Sequence, residues 1–281
     1  MRNIKRITTG VIWFLIGICV LPFILLQIPT IQEYIAGQTA TLLSDKIGVP
    51  VSVDRINYGL FNRIIIDGVT INDRQQQEMI KSARISAKVD VLPLLNGKIS
   101  VSSAQIFGTH INIYQPTAES EHNIQFLIDA LASKDTTSSN PLDLRVNSLI
   151  IRHSSVSYNR HFIPETPEKL NPNHLEVSDI SAHILLKALR QDSINCQIKK
   201  LALKEHSGAV IDKLTLHFEA GRHGGRLTDF NLVMPNSHLT ADSIVATFEA
   251  NGNKIKSGTL RFHGAIGKSQ IGISDLAFLQ P

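Results

Sequence analysis

From Val51 to the end of the chain, apolar residues recur at every second position, in run after run, with hardly a helical period among them. VSVDRINY is followed by RIIIDGVTIND, then MIKSARISAKVDVL, then the long stretch from Ile99 to Tyr114. Later runs are LDLRVNSLIIRH, SSVSYNR, HLEVSDISAHILL, INCQIKKLALKE, AVIDKLTLHFEA, RLTDFNLVM, HLTADSIVATFEA, GTLRFHGAI and QIGISDLAFL. A period of two is that of a strand with one dry and one wet face. Gly, Asn, Asp, Ser and Pro punctuate the runs as turns do, so roughly fourteen strands are expected. Ile, Leu and Val carry the apolar load while aromatic residues make up only 6%, which suits a pleated surface.

The stretch Ile99–Tyr114 contains a one-residue slip of phase. Ile99, Val101 and Ser103 alternate, Ala104 and Ile106 continue one position over, and Ile111 and Ile113 resume after Gly-Thr-His. Shifted by about 45 positions, the segment falls on LRVNSLIIRHSSVSYN, where Ile106 meets Ile151 and Ile111 meets Val156. A repeat that keeps the slip at one place implies a bulge or bend shared by both copies.

The first 50 residues differ from the rest. Thr9–Ile28 holds no charge, and twenty residues at about 1.5 Å each match a hydrocarbon core of about 30 Å. Arg2, Lys5 and Arg6 precede it, so the positive-inside rule holds the N-terminus in the cytoplasm and sends the body across the membrane. A cleaved signal peptide is the alternative; no small-residue cleavage site follows the run closely. Residues 1–28 are thus a cytoplasmic tip and transmembrane anchor. Residues 29–48 read as an amphipathic helix, begun by Pro29, ended by Gly48 and striped with Ile31, Ile35, Leu42 and Leu43. It either plugs an open end of the sheet or lies in the membrane interface. Residues 49–281 form the β domain, with a helical insertion at about 122–134 and a proline-rich loop insertion at about 161–172.

Chemistry-bearing motifs are missing. Cys19 and Cys196 are too far apart in kind and place to form a disulfide framework or a zinc site. None of the eleven histidines stands at metal-ligand spacing, His153 and His161 included. There is no G-x-S-x-G elbow, P-loop or H-E-x-x-H, and Gly221–Arg226 reads as a hairpin turn. Asp54, Asp67, Asp73 and Asp90 stand at turns or on polar faces. No catalytic, cofactor-binding or metal residue is expected, and the net charge of +4, spread along the chain without aromatic clusters, argues against nucleic acid.

The order of these features, with the stretches GVPVSVDRINYGLFNRIIIDGVTI at 48–71 and VDVLPLLNGKISVSSAQIFGTHINIY at 89–114 and the helix NIQFLIDALAS, resembles the N-terminal part of the TamB family (translocation and assembly module subunit). The resemblance is to its Bacteroidota versions and, more broadly, to the AsmA-like superfamily. It covers about residues 1–160. It implies a mainly β protein in which a transmembrane helix and an amphipathic helix precede a long, twisted, antiparallel-rich sheet curled into an open, apolar-lined trough. The expected setting is the inner membrane, crossed once, with the body in the periplasm. No cofactor or enzymatic activity is implied. The partners implied are phospholipid acyl chains, the inner membrane and an outer-membrane TamA-like barrel. The chain is shorter than such proteins, so a truncated C-terminus is expected; carriage of phospholipid towards the outer membrane is the role implied, and assembly of outer-membrane proteins by strand pairing with the barrel is the alternative. Alternation alone fits a β-sandwich equally well; the trough differs in leaving its apolar face uncovered. The expected lining is Ile64, Ile66, Val69, Ile71, Ile85, Val89, Val91, Ile99, Val101, Ile106, Ile111 and Ile113.

Overall fold

The computed structural model describes residues 13–14, 17, 21, 24–25, 27–59, 62–90, 101–132, 147–166, 169–190, 193–221, 223–251, 254–255 and 258–279. Its strands are β1 (Val51–Gly59), β2 (Arg63–Asn72), β3 (Glu78–Val89), β4 (Val101–Gln115), β5 (Ser148–Arg160), β6 (His174–Arg190) and β7 (Ser193–Glu205). They continue as β8 (Val210–Gly221), β9 (Gly224–Val233), β10 (His238–Thr247), β11 (Ala250–Asn251), β12 (Lys254–Ile255) and β13 (Arg261–Ile266). Two helices, α1 (Pro29–Ile47) and α2 (Gln125–Ala132), and a 3-10 helix (Ile273–Leu279) complete the elements.

The protein is mainly β, built on one open sheet of 11 strands in the order β1 to β10 and then β13, and the sheet is not curled into the expected trough. β11 and β12 make a separate small pair. From β1 to β10 each strand lies beside its sequence neighbour, as short connections favour. All pairings are antiparallel except β4–β5, which is parallel. That pair is the sequence repeat made physical: Ile106 lies beside Ile151, Ile111 beside Val156 and Ile113 beside Tyr158. The parallel register forces the long connection between them, which contains α2. The described part of LDLRVNSLIIRH and the run SSVSYNR, read as two strands, make one strand, β5, interrupted only at His153; residues 142–146 lie outside the described residues.

The phase slip is a line of left-handed residues across the sheet. Gly68 (φ 63), Gly108 (φ 59), His153 (φ 50) and Asp179 (φ 53) occupy one level on β2, β4, β5 and β6. A second line runs from β6 to β13 through register shifts at 183/184, 198/201, 215/217 and 241/243, with Asp229 (φ 55) on β9. Irregularities stacked in register bend every strand at the same height, giving two creases.

Most of the described residues outside the strands and α1 gather at the end of the sheet where β2 and β4 finish. There Val49, Met79 and Phe126 form a small buried core, joined by Ile47, Ile71, Ile80, Ile124 and Leu127. Helix α1 packs mainly along β1. Ser44 Oγ accepts the Val51 N–H at 2.9 Å, and Gln27 Nε2 donates to the Tyr58 carbonyl at 3.2 Å. Its buried stripe is Gln32, Ala36 and Ala40, not the expected one: Leu42 and Leu43 are exposed. Small side chains let the helix backbone come close to the edge strand; of the expected stripe Ile31 and Ile35 are half-buried, and only Leu42 and Leu43 are left outward. The helix therefore flanks β1, with its larger apolar residues turned to the surroundings.

The last run, QIGISDLAFL, is not a strand. Only Gln270 pairs, with His238, before the chain turns into the 3-10 helix. Asp275 fixes that turn by accepting the Asn236 backbone N–H at 2.8 Å and its Nδ2 at 2.9 Å. Leu170 N–H bonds the Phe278 carbonyl at 3.1 Å, tying the 3-10 helix to the loop insertion before β6. The terminal edge strand is consequently β13, exposed along its whole length.

Most of the run 9–28 lies outside the described residues, as do 91–100 and 133–146. Among the described residues no helix is long and apolar enough to cross a membrane. Those of the run that are described, including Trp13, Phe14, Leu21, Ile24 and Leu25, are exposed.

Candidate apolar binding face

Strand register decides what alternation could not: which apolar residues meet. Ile56, Ile66, Ile85, Ile106, Ile151, Ala182, Leu201, Leu214, Leu232 and Leu239 are consecutive partners across β1 to β10. No polar residue interrupts this rung. It passes between the two creases, with the Gly68–Asp179 line on one side and the Asp229 line on the other. A second rung beside it holds Tyr58, Ile64, Ala87, Ala104, Leu149, Ile184, Ile198 and Leu216. Partners two positions apart on a strand share a face, so the two rungs form one apolar band. At a strand spacing of about 4.8 Å, the eleven strands span about 48 Å.

The alternate rungs, one between these two and one on the far side of the first, carry the opposite character. Arg55, Asp67, Arg84, Phe107 and Arg152 make one; Asn57, Ile65, Ser86, Gln105, Ile150, His183 and Lys200 make the next. Asp67 accepts from Arg84 Nε at 2.6 Å and from Arg55 at 3.4 Å. Burial raises its pKa, but the bonds and charges of Arg84 and Arg55 outweigh that and hold the carboxyl below its ordinary value. The sheet thus has a wet, basic face and a dry one.

Nothing among the described residues forms a second layer on the dry face: strands pack against their ladder neighbours, and α1 against β1. The rung residues stay half-buried, apart from the buried Ala182. A β-sandwich is thereby excluded for the described part. The normal fate of such a face is to be covered by another element, and this one is open.

Of the expected lining, Ile66, Ile85 and Ile106 sit together in the central rung and Ile64 in its neighbour. Val89 pairs with Val101 at the far end of β3 and β4, both buried. Val69 lies across the crease, buried and beside Ser82. Ile111 pairs with Ile80, and Ile71 packs on the Val49–Met79–Phe126 core, so Ile71 belongs to a closed end and not to the open band. Ile113 faces Tyr158. Val91 and Ile99 lie outside the described residues. The sequence reading missed Ile56, Ile151, Leu201, Leu214, Leu232 and Leu239; the signal was the same alternation in β1 and β5 to β10.

Polar clusters are braces. Asp73, wholly buried, accepts the Gln75 and Gln77 backbone N–H groups at 2.9 Å each and the Tyr114 hydroxyl at 2.7 Å. Burial and the neighbouring Asp73 carboxylate push the Tyr114 phenol up to about 12. Asn123 accepts the Tyr114 N–H at 3.0 Å and donates to the Asn112 carbonyl at 2.9 Å, which holds the start of the helical insertion against β4. Burial also raises the Cys196 thiol, leaving little thiolate. Among the described residues no His, Cys, Asp and Glu side chains cluster as a metal site.

The chain matches no family model and no curated protein sequence.

Proposed function

We propose that this is an envelope protein, anchored in the inner membrane through Thr9–Ile28, that carries phospholipid acyl chains along the apolar band towards the outer membrane. The observation that carries this reading is the uninterrupted rung from Ile56 to Leu239 on an uncovered face. Each methylene laid against it gains roughly 0.8 kcal/mol. Because the rung is uniform, one position is worth about as much as the next, and a chain slides without a deep trap. Curling of the sheet about the acyl chain, as the TamB resemblance implies, completes the trough. The two creases are the places where strands bend most readily.

The test is mass spectrometry of lipid that co-purifies with the full chain. Phospholipid above background is expected, and Ile106→Asp, which sets a carboxylate in mid-rung, should remove it while the fold persists. Equal recovery from the variant, or no lipid from the unaltered protein, would end the proposal.

A second reading rests on β13. Its outer side has no partner strand among the described residues, and Phe262 and Ile266 are strongly exposed. Such an edge accepts a further strand from a partner such as a TamA-like barrel. This reading predicts indifference to Ile106→Asp and sensitivity to a proline in Arg261–Ile266.

A further inference from the structure

The basic face carries a second, separate feature. On β3, β4 and β5 the partners Arg84, Phe107 and Arg152 stand in one rung, and Ser86, Gln105 and Ile150 in the next on the same side. Together they line a cleft of about 440 Å³. The two arginines lie two strand spacings apart, about 10 Å between Cα atoms, with Phe107 between them, 46% exposed and held edge-on by the His153 ring at 5.4 Å.

The charges here do not balance. Arg55, Arg84 and Arg152 share the rung with one carboxylate, Asp67, which leaves a surplus of two positive charges. Asp67 takes Arg84 through Nε at 2.6 Å, which fixes the guanidinium and leaves its terminal Nη groups for another acceptor. Arg152 has no hydrogen-bond or ion-pair partner for its guanidinium among the described residues. Ser86, 5% exposed, accepts from Arg63 Nη1 at 3.0 Å and keeps its own O–H to donate. Gln105 adds an amide. The cleft therefore offers forked cationic donors on two sides and neutral donors on its floor, with an aromatic ring between, and no acid of its own apart from the one already engaged.

We propose that this cleft binds a phosphate group, bridged between Arg84 and Arg152, with Ser86 and Gln105 as further donors and Phe107 against the body that bears it. Two planar guanidinium forks suit the oxygens of a tetrahedral phosphate, and a dianion cancels the surplus of two positive charges. Asp67 is a positioning residue, acting through Arg84. The cleft's donors lie on the face that carries the arginines, although Ile106 of the central rung also borders it, and the assignment does not depend on the band carrying lipid.

The experiment is calorimetric titration of the full chain in detergent at low salt, first with inorganic phosphate, then with short-chain phosphatidic acid and short-chain phosphatidylcholine as monomers. Saturable binding is expected, and Arg84→Gln and Arg152→Gln should each weaken it at least tenfold, the loss of one charge-assisted contact. Arg152→Lys should recover part of the affinity, and Arg226→Gln, on a distant strand, should change nothing. Asp67→Asn separates positioning from simple charge: a gain in positive charge alone strengthens binding, whereas a misoriented Arg84 weakens it. Binding of inorganic phosphate identifies a free anion or soluble ester as the ligand class; binding of phosphatidic acid alone identifies a headgroup. Either, with the arginine dependence, upholds the assignment. Absence of binding by all probes at millimolar concentration overturns it, as does binding that both arginine-to-glutamine variants leave unchanged.

Discussion

Replacing Asp73 tests the idea that one buried carboxylate holds the end of the sheet together. Its Oδ1 accepts two backbone N–H groups of the β2–β3 turn, and its Oδ2 accepts the Tyr114 hydroxyl from β4, 41 residues away. Hydrogen bonds to a charged group contribute roughly 1.5–3 kcal/mol each. The losses do not simply add. The turn N–H groups of Gln75 and Gln77 lie next to exposed residues where water reaches them, and the Tyr114 hydroxyl has a fallback acceptor in Gln75 Oε1 at 3.4 Å. Asp73→Ala should therefore cost about 3 kcal/mol, and Tyr114→Phe about 1.5 kcal/mol, since it leaves Oδ2 buried with only the 3.5 Å contact from Asn123. Because both variants remove the same bond, the double variant should fall short of the sum by about 1–2 kcal/mol. The assay is chemical denaturation of the full chain followed by far-ultraviolet circular dichroism, with all four proteins of the cycle measured together. Strict additivity, or a loss below about 0.5 kcal/mol for Asp73→Ala, the size of an ordinary surface substitution, would refute the brace.

The same phenol gives a pH dependence. With its pKa at about 12 in the fold against an ordinary 10.0, the Tyr114 contribution is complete below pH 10 and is lost as pH rises towards 12; Tyr114→Phe should flatten that limb of the stability profile. At the acid end, burial raises the Asp275 carboxyl but hydrogen bonds from Ser237 and Asn236 more than offset this, so its pKa lies below 3.8. Its hold on the β9–β10 turn is present above that value and lost as pH falls further, seen as loss of amide protection at Asn236. The first crease predicts opposite signs for two substitutions. His153→Gly, relieving a left-handed non-glycine, should raise stability by about 1 kcal/mol, while Gly108→Ala, which sets a Cβ 3.0 Å from that of Ala83 at φ 59, should lower it by about 1–2 kcal/mol.

The strands were legible because their signal is local. A period of two survives in every segment, and the 45-residue shift between Ile106 and Ile151 showed two copies of one bent unit, which the ladder then sets side by side. The slip near Gly108, and its copy near His153, showed as a change of apolar phase, although only the φ angles reveal that the line continues through Gly68 and Asp179. Errors arose where neighbours decide. Leu42 and Leu43 look like the buried stripe of α1, but close approach to β1 selects Ala36 and Ala40 instead. Residues 270–279 alternate like a strand, yet Asp275 and its Asn236 partner draw them into a 3-10 turn. The apolar band was half visible, since the chain names candidates and register alone says which align. The Arg84–Arg152 cleft had no sequence signature at all. Its residues are spread over 68 positions and meet only through two ladders.

The two margins of the sheet are treated differently. Helix α1 runs along the first strand, with its own Ser44 and the preceding Gln27 engaging that strand's backbone, whereas β13 stands bare among the described residues. An edge screened by a helix offers little ladder to an incoming chain, so among the described strands any addition is directed to the β13 side.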